Sequence, residues 1–154
     1  MRRWILVLAS LAWIACGGPV GPLSGGALAG DVKPSPERWD FVAEIAQVQL
    51  ETNPAEPHSV NTWIGVVEDT AYIPSSMIRG PKAPGERGWV RNVGEDDRVR
   101  VRVGDAIYEL RALRVADASA EYLAAHAALV KKYELDADAL DPDRAIWIYR
   151  LQVR

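Results

Sequence analysis

From 98 to 103 arginine and valine alternate strictly, and Gly104-Asp105 stands directly after them. A helix would scatter the valines around its circumference. An extended strand, whose successive side chains point to opposite faces, collects Val99, Val101 and Val103 on one side. Gly104-Asp105 is a tight-turn pair, and the stretch 106–117 alternates again, with Ala106, Tyr108, Leu110 and Ala112 sharing a face. A hairpin with one apolar face is predicted. A lone hairpin is marginal in water, so further strands must close over that face.

The rest of the chain supplies them. A short helix or turn is expected near 36–43 and a strand near 45–52. "SVNTWIGVVED" at 59–69 is rich in Val, Ile, Thr and Trp and reads as one strand. Glu68-Asp69-Thr70 then turns the chain into a short strand at 71–74. "SSMIRGPKAPGERG" at 75–88, with three glycines and two prolines, is a long loop, and "WVRNVGEDD" a helical turn ended by Gly94. Ser119 is placed to cap a helix over 120–133. Its expected apolar stripe is Leu123, Ala127 and Val130, flanked by Tyr122, Leu129 and Tyr133. "RAIWIYRLQV" at 144–153 is apolar on both faces, as a central strand should be. Paired antiparallel strands with a late helix predict an α+β domain, mainly antiparallel β, closing into a barrel with one or two peripheral helices.

The N-terminus differs in kind. Arg2 and Arg3 precede an uncharged apolar run at 4–15. That is the form of an export signal, a signal helix over 1–15, and the run is too short for a lasting transmembrane span. Two cleavage sites compete. Cys16, the single cysteine, follows the run directly and resembles the lipidated cysteine of bacterial lipoproteins; Ala27-Leu28-Ala29 has the small-x-small form of an ordinary signal-peptidase site. With Cys16 lipidated, the protein would be anchored in the bacterial cell envelope, 16–36 would be a flexible Gly/Pro-rich tether and 37–154 the folded domain. With cleavage after Ala29 it would be periplasmic or secreted.

Charge narrows the partners. Losing 1–15 removes two basic side chains and no acid, leaving 16 basic against 21 acidic, a net charge of −5. That balance, without a recognisable binding motif, argues against nucleic acid. One cysteine forms no internal disulfide. His58 and His126 have no paired spacing, and Glu95-Asp96-Asp97 matches no calcium loop, so no metal site is expected. The row Arg98, Arg100, Arg102 reads first as the wet side of a two-faced strand, paired across the hairpin with Glu109 or Asp105, and alternatively as a cationic surface.

The loop 75–92 is the better candidate site. It carries Ser75, Ser76, Arg79, Lys82, Arg87 and Arg91 against one acid, Glu86. Guanidinium forks and serine hydroxyls suit a phosphate or another small anionic ligand; the alternative is an ordinary solvated loop. Trp89-x-x-Asn92, followed by "GEDDRVRVRVGDAIYELRALRV", resembles the split β-barrel proteins, which include the pyridoxamine-phosphate-oxidase-like flavin proteins and the deazaflavin-dependent nitroreductases. The resemblance covers roughly 45–153, mainly by element order. It implies FMN or deazaflavin F420 as cofactor, an oxidoreductase activity, and a dimer with the ligand between subunits. Ser75, Ser76, Arg79, Lys82 and Arg87 would then hold the phosphate, and Trp89 and Asn92 would face the ring. The alternative on the same barrel is a non-catalytic envelope module that binds a small ligand or a protein.

Overall fold

The computed structural model describes residues 17–154; the expected signal segment and Cys16 lie outside the described residues. The strands are β1 (Asp31–Lys33), β2 (Val48–Thr52), β3 (His58–Thr62), β4 (Gly65–Val67), β5 (Thr70–Pro74), β6 (Arg98–Val103), β7 (Ala106–Arg114) and β8 (Ile148–Val153). The helices are α1 (Gly88–Glu95) and α2 (Ala120–Lys132). The expected hairpin is β6–β7, with Val103 opposite Ala106. Gly104 takes φ +59, in the left-handed region that the turn requires.

The main sheet runs β3-β2-β6-β7-β8-β5-β4, antiparallel at every pairing. Its two outer strands, β3 and β4, are neighbours in sequence, joined only by Trp63 and Ile64. Three Cα steps span at most about 11 Å. Seven strands laid flat would set those edges about 29 Å apart. The sheet therefore has to curl until its edges nearly meet, and the result is a barrel left open along one seam. The single strand expected over 59–69 is in fact these two outer strands. Gly65, directly after the break, is the one local mark of it, since Trp63 and Ile64 are themselves good strand formers; the topology imposes it.

Alternation sorts the cores. Val99, Val101, Leu50, Ala71, Ile73, Tyr149 and Leu151 point into the barrel, and α1 plugs it with Trp89, Val90 and Val93. Tyr72 and Ile148 point outward beneath α2, where Ala125 and Leu129 meet them. So β8 is apolar on both faces because it is central, between β7 and β5. Ser119 caps α2 by accepting from Tyr122 N–H (3.1 Å). The buried stripe of α2 differs from the expected one: Leu123 and Ala127 face solvent, while Ala125 and Leu129 are buried. Gly94 lies inside α1 and does not end it.

The largest departure is at the start. The stretch 17–33, expected to be a flexible tether, is an arm laid along the barrel. Gly25 and Ser59 exchange backbone hydrogen bonds of 2.8 Å. β1 pairs in parallel with β7 from Ala106 to Tyr108. Leu28 is 4% exposed, and its N–H donates to Glu51 Oε2 at 2.5 Å. The arginine row is what the arm grips. Arg100 donates to both oxygens of Glu51 (3.1 Å) and to the Leu28 carbonyl (3.4 Å). Arg102 donates to the Ala29 carbonyl (3.0 Å). Arg98 turns instead to Asp96 (2.9 Å from Nε). The expected partners Glu109 and Asp105 hold none of the three: Glu109 pairs with Arg154 at 3.7 Å.

Candidate functional site

A pocket of about 530 Å³ opens at the seam of the barrel. Its walls are β3 with Trp63, the segment 74–80 leaving β5, the start of α1 and the arm at 21–23. The volume falls in the range of small-molecule sites. The pocket exists because the chain must leave the sheet here. Beyond β5, Ser75 N–H still donates to the Trp147 carbonyl (2.7 Å), and its buried Oγ accepts from Trp147 N–H (3.0 Å). After that pair the backbone swings away and returns only at α1.

The returning loop is held by cations. Ser76 Oγ and Arg87 Nη2 both donate to the Arg79 carbonyl. Arg144 Nη1 donates to the carbonyls of Arg79, Gly80 and Pro81, at 3.3, 3.1 and 2.8 Å. Gly80 has φ +79, in the left-handed region that favours glycine, and a Cβ there would displace the Arg87 guanidinium. The Nε atoms of Arg87 and Arg144 are buried with no partner among the described residues. Burial, and then the neighbouring Arg144 charge, hold the Arg87 guanidinium below its usual pKa. An anion beside Arg87 would relieve both effects.

Five of the seven residues expected at the cofactor line this pocket: Ser75, Ser76, Arg79, Arg87 and Trp89. Among the described residues, Arg79 and Arg87 are the only ionisable side chains in the lining, and no acid accompanies them. The other two are elsewhere. Lys82 pairs with Asp141 (2.9 Å) and Asp143 (3.8 Å). Asn92 donates to Thr52 Oγ1 (3.0 Å), which in turn donates to the His58 carbonyl (3.2 Å), tying α1 to the β2–β3 hairpin. Trp89 is 5% exposed and meets Tyr149 edge-on at 5.4 Å, so its ring belongs chiefly to the core.

Two residues escaped the sequence reading. Trp63 lines the pocket and stacks on Tyr133 at 4.1 Å, the planes 9° apart. Its signal was a lone tryptophan in the middle of a strand-like run. Arg144 stands more than sixty positions from the loop it holds and carried no local signal. Among the described residues no cluster of His, Cys, Asp or Glu is arranged for a metal ion.

Comparison with known proteins gives the fold. Rv2991 of Mycobacterium tuberculosis, a conserved hypothetical protein, matches at 19% identity and a TM-score of 0.55, over 75% of this chain and 77% of that one. A Bacteroides thetaiotaomicron protein, proposed to confer 5-nitroimidazole antibiotic resistance, matches at 13% identity and 0.51, over 74% and 76%. Atu2129 of Agrobacterium tumefaciens, of unknown function, matches at 22% identity and 0.50 over 70% of this chain. The match takes in 48% of Atu2129, so this chain spans about half its length. No protein-family model matches the sequence, and no curated protein matches it significantly.

Proposed function

From the split β-barrel fold that this chain shares with those structures, we propose that its seam pocket holds a flavin-type cofactor, FMN or deazaflavin F420. In this reading the protein is an exported, lipid-anchored relative of the flavin- and deazaflavin-dependent oxidoreductases. The observation that carries the cofactor reading is the lining itself: in an acidic chain, the pocket's ionisable side chains among the described residues are two arginines, one with a buried Nε that has no partner among them. A phosphate tail fits that end, where Arg87, Arg79 and the Ser76 hydroxyl are gathered. A planar ring fits against the Trp63 wall. When bound, such a group supplies hydride or electron transfer. The chain supplies charge at one end, an aromatic surface at the other and shelter from bulk water.

One observation favours a second reading, a non-catalytic module for a small anionic ligand. Among the described residues the pocket lining contains no His, Asp or Glu to move a proton. Titration of FMN and F420 into the purified protein, followed by absorbance and tryptophan quenching, separates the two. Flavin binding that falls about tenfold or more in Arg79→Ala and Arg87→Ala, and stays unchanged in Lys82→Ala, supports the cofactor reading. Binding of neither flavin, with retention of simple phosphate esters, supports the second. Flavin binding indifferent to both arginines removes the proposed phosphate end.

Export with lipidation at Cys16 belongs to the same proposal. Its support is the arm. Cleavage after Ala29 would discard Leu28, the backbone donor to buried Glu51 and one wall of the pocket. Cleavage before Cys16 keeps them all.

A further inference from the structure

The arm begins with a turn that is fixed in position and apolar on its outer side. Val20 and Leu23 exchange backbone hydrogen bonds of 3.1 and 3.0 Å, with Gly21 at φ +55. Polar bonds pin this turn to the barrel. Asn61 Nδ2 donates to the Gly21 carbonyl (2.9 Å), and Gln49 Nε2 donates to the Pro19 carbonyl (3.3 Å). Yet the side chains of Val20 and Leu23 are 74% and 70% exposed, and Pro22 between them is exposed as well. Folding has ordered the backbone here while leaving the apolar side chains in water. They contribute little to the core and are presented outward.

What they meet is indicated by the chain just before them. The apolar run 4–15 ends immediately before Cys16, and Val20 is four Cα steps beyond that cysteine. Four steps span at most about 15 Å. An acyl chain on Cys16 would hold the turn within the headgroup layer of a bilayer, where small exposed apolar side chains are favourably buried. We propose that the turn 20–23 is a membrane contact, with Val20, Pro22 and Leu23 resting in the interfacial layer of a phospholipid bilayer. The same turn forms one wall of the seam pocket, so the pocket mouth opens beside the lipid surface. The contact rests on the anchored reading given above, and it goes beyond that reading. A tether would let the domain tumble freely, whereas this contact gives it one orientation.

The test uses the full chain, expressed with its own N-terminus and reconstituted into vesicles of phosphatidylcholine and phosphatidylglycerol. An environment-sensitive fluorophore is placed at Leu23→Cys, at Val20→Cys and, as a control on the outer face of α2, at Leu123→Cys. The parent chain, whose one cysteine is Cys16, measures background labelling. The expected result is a blue shift of the Val20 and Leu23 probes on reconstitution, with strong quenching by lipids spin-labelled near the headgroup, while the Leu123 probe stays water-like and unquenched. Water-like probes at 20 and 23 on a chain that floats with the vesicles overturn the contact and leave the anchor standing. Equal quenching at all three positions overturns the single orientation. A chain that fails to float, or a Cys16→Ser variant that partitions like the parent, removes lipidation at Cys16, and the contact falls with it.

Discussion

Arg100 stands between two carboxylates, Glu51 across one strand pairing and Glu109 across the other. It chooses Glu51, which is 5% exposed, because the arm covers that side and excludes water, leaving Glu109 at the surface. The alternation of the row was legible in the sequence, since side-chain direction in a strand is a local property. The partner was not, since it depends on which strand lies alongside and on an arm whose glycines and prolines read as flexible. The same reason explains Lys82 and Arg144. Both are basic side chains near the loop, and only the fold decides that Asp141 takes the first while the second grips the loop carbonyls. Glu51→Ala leaves Arg100 half-buried and unpaired and Leu28 N–H without its acceptor, and is expected to cost about 3 kcal/mol. Glu109→Ala, at the exposed pair with Arg154, should stay within about 0.5 kcal/mol. Guanidinium unfolding followed by tryptophan fluorescence measures both. Equal losses would mean that the arm does not shield the Glu51 pair.

At the scale of elements, the C-terminal end of α2 closes the seam. Tyr133 stacks on Trp63, its hydroxyl accepts from Ile64 N–H (3.0 Å), and the same hydroxyl donates to the Ala46 carbonyl (2.8 Å). Lys132 Nζ donates to the carbonyls of Val42 (2.9 Å) and Ile64 (2.8 Å), and burial lowers the pKa of its ammonium. The helix itself was readable from Ser119 and the run that follows it. Its buried face was not, because in an alanine-rich helix several phases place comparable apolar surface inward, and contact with Tyr72 and Ile148 selects one. The barrel class was legible because strand order and alternation are written locally, while the break at 63–64, Gly65 apart, was hidden because closure is a demand of the whole sheet. Tyr133→Phe keeps the stack but leaves Ile64 N–H unpaired, and should cost about 1–2 kcal/mol. Hydrogen exchange provides the specific readout: the Ile64 amide should exchange faster, with β6 and β7 amides changing only by the global loss. Unchanged protection at Ile64 would show that the hydroxyl does not hold the seam.

At the scale of the molecule, the arm is part of the domain. Burial of Leu28 alone contributes about 2 kcal/mol, and the Glu51 network adds to it. A chain beginning at Gly30 should therefore be less stable than one beginning at Cys16 by about 3 kcal/mol, read as a lower denaturation midpoint. Equal midpoints would restore the picture of a tether and reopen the choice between the two processing sites.

The sheet order has one more consequence, for the time at which this protein can exist as a folded object. β3, β2, β6 and β7 form one ribbon and β5 with β4 another, and β8 is the strand that hydrogen-bonds to both. Whether the chain emerges from a ribosome or from a secretion channel, the two ribbons stay unjoined until residue 153 has arrived. Nascent molecules consequently present raw strand edges until β8 has arrived, a window in which a chaperone would find them and a stalled copy would be prone to clump.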